Sequence, residues 1–189
     1  TGASACCDPQ VAALGLPEGT TAVTVALVGQ PNVGKSTVFN LLTGLRQHVG
    51  NWPGKTVEQK VGICQAEGAP LVLIDLPGTY SLTAGSDEER VTRDFIIQHQ
   101  PDVVVLVADA SNLERNLYLL SELVLLPPPI VLALNMVDVA EEFIGHPIGG
   151  CIRQQVHFGG IVAVGYGYPS DSTGPYRLWS ASLPPTIVL

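Results

Sequence analysis

Short β-branched apolar runs alternate with stretches of helical spacing through the first two thirds of the chain. Thr24–Val28 has the unbroken apolar character of a strand buried on both faces and ends at Gly29. From Lys35 onward Val38, Leu41, Leu42 and Leu45 recur at helical spacing, with Gly44 as a stop. Residues 46–56 lack periodicity and hold Gly50, Pro53 and Gly54, which predicts a loop; His48 and Trp52 fall in it, where solvent is their expected surrounding. Val57–Gln65 alternates imperfectly and predicts a more exposed strand. Leu71–Ile74 predicts a short buried one ending at Asp75. Ser86-Asp87-Glu88-Glu89 has capping-box spacing and opens a helix toward His99, before Pro101. Val103–Ala108 is a strand. Ser111-Asn112-Leu113-Glu114 is a second capping box, leading into Leu113, Leu117, Leu120 and Val124 on one helical face until Pro127–Pro129. Ile130–Leu134 is a strand stopping at Asn135.

Alternating strands and helices predict an α/β fold: a mostly parallel central sheet with right-handed crossovers and helices on both faces. In such sheets ligands sit beyond the carboxyl ends of the strands. Gly29, Asp75, Asp109 and Asn135 all follow strands, so they converge on one edge. Residues 1–21 are weakly patterned and read as a leader or linker, residues 22–140 as the core of the domain. Residues 141–189 form a divergent tail in which Ile161–Val164 and Tyr176–Trp179 are candidate strands.

Composition narrows the function. A length of 189 residues suits one domain with a substantial core. The net charge of −8 repels nucleic-acid phosphates, so no nucleic-acid partner is expected. Cys6, Cys7, Cys64 and Cys151 include no C-x-x-C pair and suggest no disulfide framework, which fits a reducing compartment. No apolar run reaches the ~18 residues of a membrane-spanning helix, and no secretory signal opens the chain. The start at Thr1 rather than Met suggests a fragment.

Four motifs carry the chemistry. Gly29-Gln30-Pro31-Asn32-Val33-Gly34-Lys35-Ser36 is a G-x-x-x-x-G-K-S run between a strand and a helix, and Thr37 continues it. Its glycines let the backbone wrap phosphates, with successive N–H groups and the helix N-terminus facing the negative charge. Lys35 should reach the β- and γ-phosphates and Ser36 should ligate Mg²⁺. Asp75-Leu76-Pro77-Gly78 places a carboxylate where it can hold Mg²⁺, usually through water, and an N–H at Gly78 that can sense a γ-phosphate. Asn135-Met136-Val137-Asp138 offers a carboxylate to N1–H and the exocyclic amine of guanine; Asn135 can brace the base loop and Met136 can pack on the base. Thr56 can complete the Mg²⁺ shell when a γ-phosphate is present.

In this order the motifs resemble the translation-factor-like class of small GTPases, and several stretches resemble the cytosolic G domain of the FeoB ferrous iron transporter family. These are V-G-Q-P-N-V-G-K-S-T-V-F-N at 28–40, V-G-N-W-P-G-K-T-V-E at 49–58, D-L-P-G-T-Y-S-L at 75–82, D-A-S-N-L-E-R-N-L-Y-L at 109–119 and A-L-N-M-V-D at 133–138. The resemblance covers about residues 23–140 and implies a P-loop GTPase fold. It implies GTP and GDP as ligands, Mg²⁺ at Ser36, Thr56 and Asp75, and catalysis through Asn32, Lys35, Thr56 and Gly78. Thr79 stands where Ras-like proteins carry a water-orienting Gln, so intrinsic hydrolysis should be slow. In potassium-activated relatives an Asn at the position of Asn32 helps hold K⁺, with the Gly50–Gly54 loop closing over it. The family also implies a base loop, for which Ser180-Ala181 is the candidate. Its further partner is a membrane-embedded iron-permease region, absent here, on the cytoplasmic face of the inner membrane. The fragment itself should be soluble, and self-association into a homo-oligomer is the remaining partner expectation. The tail departs from the family and reads equally as an insertion, a junction or a change of frame. Two other functions stay open: a nucleotide-sensing switch without catalysis, and a ribosome-associated GTPase, which the acidic charge disfavours.

Overall fold

The computed structural model describes residues 21–44, 47–52, 56–65, 69–83 and 85–144, and the backbone of two further strands at 162–165 and 179–180. The elements are β1 (Val23–Gly29), α1 (Lys35–Thr43), β2 (Gln47–Asn51), β3 (Glu58–Gln65), β4 (Pro70–Asp75), α2 (Asp87–His99), β5 (Val103–Asp109), α3 (Leu113–Leu123), β6 (Ile130–Asn135), α4 (Val137–Ile144), β7 (Val162–Gly165) and β8 (Trp179–Ser180). They build one sheet in the order β2-β3-β4-β1-β5-β6-β7-β8. The central pairs β4/β1, β1/β5, β5/β6 and β6/β7 are parallel; the outer pairs β2/β3, β3/β4 and β7/β8 are antiparallel.

The pleat of β1 divides the core. Val25 and Leu27 point to the face covered by α1, where Phe39 is completely buried among Leu71, Leu73, Val105 and Val107. Ala26 and Val28 point to the other face, beneath Val91, Phe95 and Ile96 of α2, Leu119, Leu120 and Leu123 of α3, and Ala140 of α4. Helices on both faces explain why the central strands read as continuous apolar runs.

Gly44 takes a left-handed conformation and its N–H bonds back to the Asn40 carbonyl at 3.1 Å, ending α1 as the sequence predicts. The capping box of α2 forms: Glu89 N–H donates to Ser86 Oγ at 3.2 Å and Ser86 N–H to Glu89 Oε2 at 3.2 Å.

Three local expectations are corrected. Gln47–Asn51 is a strand, not a loop. As an edge strand it exposes His48 and Val49 and carries no two-residue period, but its backbone pairs with β3 from Gln47↔Gly62 to Asn51↔Glu58. Being flanked on both sides, β3 buries Gln59 and Val61 instead of exposing them. The second capping box does not form. Asp109 Oδ1 accepts from both the N–H and Oγ of Ser111, at 2.8 and 2.6 Å, so Ala110–Asn112 becomes a 3₁₀ turn and α3 starts at Leu113. The inner face of α3 is accordingly Asn116, Leu119, Leu120 and Leu123, while Leu117 and Val124 are exposed.

Candidate functional site

The site assembles at the carboxyl ends of β1, β4 and β6, as the parallel order requires. β1 delivers Gly29, after which Gln30 is buried and Pro31 and Asn32 are exposed. Asn32 and Gly34 have positive φ, +66° and +84°, so the loop turns sharply before α1 begins at Lys35. A side chain at Gly34 would be strained by that φ, and its Cβ would lie 2.2 Å from Asn135 Nδ2. Asn135 Nδ2 itself donates to the Val33 carbonyl at 2.9 Å. Asn135 therefore braces the phosphate loop, a contact that the base-loop expectation did not include. Thr37 is exposed in the first turn of α1.

Lys35 and Asp75 are both more than nine-tenths buried and form an ion pair through Lys35 Nζ and Asp75 Oδ1. The other carboxylate oxygen, Oδ2, accepts from Ser36 Oγ at 3.1 Å. Two hard oxygen donors thus lie side by side, from Ser36 and Asp75, a set that suits Mg²⁺. Lys35, Ser36, Val57, Glu58, Lys60 and Asp75 line a pocket of about 200 Å³. That is below the ~300 Å³ at which pockets begin to enclose a whole small molecule, and it suits a phosphate and its metal ion. Thr56 is exposed at the entry to β3, one residue before Val57 of the pocket wall.

Gly78 packs on the phosphate loop: a Cβ there would lie 3.2 Å from Pro31 N and Cα. The next residue is fixed to the same loop, since Thr79 N–H donates to the Gly29 carbonyl at 3.1 Å. The Thr79 side chain is buried and its Oγ1 donates to the Ser81 carbonyl at 2.6 Å. At the end of β6, Met136 is left-handed at φ +56°, and Asp138 is exposed in the first turn of α4. Ser180 lies on β8, antiparallel to β7, with Gly165↔Trp179 and Val164↔Ser180 in register. Since β7 runs parallel to β6, Ser180 sits one residue further from the Asn135 edge than Trp179. Ala181 and residues 53 and 54 of the predicted Gly50–Gly54 closing loop lie outside the described residues.

Trp52 corrects a further expectation. It is buried in the core, with its backbone N–H donating to the Val57 carbonyl at 2.9 Å. Its ring meets Phe95 of α2 edge-on at 5.3 Å, and Phe95 stacks on His99 at 4.6 Å. Among the described residues the buried indole Nε1 has no hydrogen-bond partner. The sequence predicted α3 as a helix but not its contacts with the site: Gln30 Nε2 donates to the Arg115 carbonyl at 2.7 Å, and Glu122 binds the segment after Gly78. A Glu and an Arg on a helix otherwise read as solvated surface, so periodicity carries no signal for them.

The family model described as ferrous iron transport protein B matches residues 23–146. The Fe(2+) transporter FeoB of Shigella flexneri and that of Escherichia coli (strain K12) are each 49% identical over 124 residues, 64% of this chain and 16% of theirs. The chain thus spans about a sixth of the length of these relatives. Among solved structures, the G domain of the T. maritima FeoB iron transporter is similar with a TM-score of 0.63 at 40% identity, over 77% of this chain and 88% of that one. The cytosolic domain of the same protein in GDP form I gives a TM-score of 0.66 at 40% identity, over 77% and 57%. The cytosolic domain of L. pneumophila FeoB gives 0.61 at 45% identity, over 64% and 52%. With a match over most of the described core and a phosphate loop, Asp75 and Asn135 gathered at one sheet edge, the chain belongs to the ferrous iron transport protein B family and has the P-loop GTPase fold of that family's G domain.

Proposed function

We propose that this chain binds GTP and GDP and slowly hydrolyses GTP, as the cytosolic regulatory domain of a ferrous iron membrane transporter. The observation that carries the reading is the convergence of Lys35, Ser36 and Asp75 in one small pocket, with Asn135 bonded to the same loop. T. maritima FeoB has been solved in GDP and GMPPNP forms, which supports the choice of ligand.

The residues divide the work. The backbone of Gly29–Ser36 and the start of α1 receive the phosphates. Lys35 turns from Asp75 to the β- and γ-phosphates, which frees the carboxylate. Ser36, Asp75 and Thr56 are the residues that would hold Mg²⁺, and a bound Mg²⁺ neutralises charge on the β- and γ-oxygens. Gly78 N–H senses the γ-phosphate. Met136 and Asp138 face the base, the carboxylate of Asp138 selecting guanine through its N1–H and amine. Thr79 is buried and bonded to its own segment, so it offers no side chain to orient water, which supports a slow intrinsic rate. Asn32, exposed on a left-handed turn of the loop, would hold K⁺, whose charge beside the phosphates acts as an arginine finger does.

The commitment of Thr79 also favours a second reading, a nucleotide-sensing module that changes shape without turnover. Single-turnover phosphate release separates the two. Titration of GTP, GDP and ATP against the full chain tests the base assignment: equal affinity for ATP would remove it. Turnover in KCl should exceed that in NaCl, and Asn32→Ala should erase the difference; equal wild-type rates in the two salts would sink the potassium role. The relatives, Fe(2+) transporters far longer than this chain, support a permease partner and a place on the cytoplasmic membrane face. Among the described residues no helix is long and apolar enough to cross a membrane.

A further inference from the structure

We propose that Glu122 and Arg115 of α3 form a clamp that positions the segment after Gly78 for hydrolysis, an inference that rests on the GTPase reading above. Between β4 and α2 the described residues contain no regular element, so the chain from Leu76 to Ser86 depends on individual contacts for its order. Its first part is tied to β1 and the phosphate loop: Leu76 N–H donates to the Leu27 carbonyl and Thr79 N–H to the Gly29 carbonyl, both at 3.1 Å.

Past Thr79, α3 takes over. Glu122 uses both carboxylate oxygens. Oε1 accepts from Ser81 Oγ at 3.0 Å and Oε2 from Leu82 N–H at 2.6 Å. Arg115 lies two helical turns earlier, at the i−7 position, which the 3.6-residue period brings to nearly the same face. Its guanidinium carbon stands 4.4 Å from the centre of the Tyr80 ring. Its carbonyl accepts from Gln30 of the phosphate loop at 2.7 Å. One side of α3 therefore holds the phosphate loop and the segment beyond Gly78 together.

Gly78 lies between these fixed points. Thr79 is anchored on Gly29 just after it, Pro31 packs against it, and Glu122 holds Ser81 and Leu82 three and four residues downstream. The Gly78 N–H must meet a γ-phosphate whose own position is set by Gly29–Ser36. A helix that grips both partners fixes the distance between them. Glu122 touches neither nucleotide nor reacting atoms, so it is a positioning residue.

The test measures steady-state GTP hydrolysis and GDP affinity in the full chain for Glu122→Ala, Glu122→Gln and Ser81→Ala. In Glu122→Ala, which loses the bonds to both Ser81 and Leu82, kcat should fall at least about tenfold, while GDP affinity stays within about twofold, because a diphosphate places nothing at Gly78. Glu122→Gln keeps one acceptor oxygen and Ser81→Ala keeps the bond to Leu82, so both should fall between wild type and Glu122→Ala. Should Glu122→Ala not fold, those two variants decide by the same measurements. The clamp is overturned by an unchanged kcat, by GDP affinity dropping in step with kcat, or by a Gln variant no better than the Ala one. It is equally overturned by a wild-type chain that binds GDP and releases no phosphate. A wild-type chain that binds no guanine nucleotide overturns the GTPase reading itself, and the clamp with it.

Discussion

Lys35 and Asp75 neutralise each other in a pocket where each is more than nine-tenths buried. Removing one partner of such a pair leaves the other charge buried and uncompensated, at a cost of about 3–5 kcal/mol. In the nucleotide-free chain Lys35→Ala should therefore lower the unfolding free energy by roughly that amount, read from urea denaturation. Adding Asp75→Ala should recover part of the loss, and strictly additive losses would show that the pair is not coupled. The identities of Lys35 and Asp75 were legible in the sequence because the G-K-S and D-x-x-G spacings describe a phosphate-loaded site. Their mutual pairing was not, since that proximity is created by β1 and β4 lying side by side. Asn135 teaches the same lesson. Its motif points to a base, but its amide bonds to Val33, 102 residues earlier in the chain.

At the scale of elements, legibility followed burial. The central strands were readable because both faces are apolar. Helix α1 was readable as a helix but not in its buried face, since Leu41 of the expected stripe is exposed and Phe39, outside that stripe, is fully buried where α1 meets β1, β4 and β5. Phe39→Ala should cost about 3–5 kcal/mol, read as a lowered urea midpoint with an unchanged m-value. A loss below ~1 kcal/mol would mean that α1 is not seated by that ring. Elements whose order comes from backbone pairing or from polar contacts left no comparable trace. Strand β2 is an edge whose side chains are mostly polar or exposed, so its pairing with β3 was invisible as a period. The start of α3 turned on Asp109 outcompeting the anticipated Ser111 cap, which set the inner face at Asn116, Leu119, Leu120 and Leu123. That same helix presents Arg115 and Glu122 to the phosphate loop and its neighbour, a role that only the fold could disclose.

Across the whole molecule, parallel pairing of β4, β1, β5 and β6 brings residues as distant as Gly29 and Asn135 to one edge, so the candidate site is a property of topology before it is one of side chains. This much was legible from the order of motifs and strands. The place of Ser180 was less legible, because it depends on how β7 and β8 pair, and their antiparallel register places Ser180 beyond Trp179 from that edge.

Trp52 has a consequence of another kind. Its indole is buried in the core, edge-on against Phe95 of α2. An indole in dry surroundings emits at shorter wavelength than one in water. The chain has two tryptophans, Trp52 and Trp179, so a Trp179→Phe background leaves a single emitter. If loading with a GTP analogue draws Thr56 toward the phosphates and pulls this residue off α2, the emission should move to the red and become more accessible to acrylamide, with GDP producing less of either. An identical spectrum in all nucleotide states would mean that the segment stays docked. A red shift on loading would instead make Trp52 a built-in optical gauge of the nucleotide state, readable in a cuvette without any attached label.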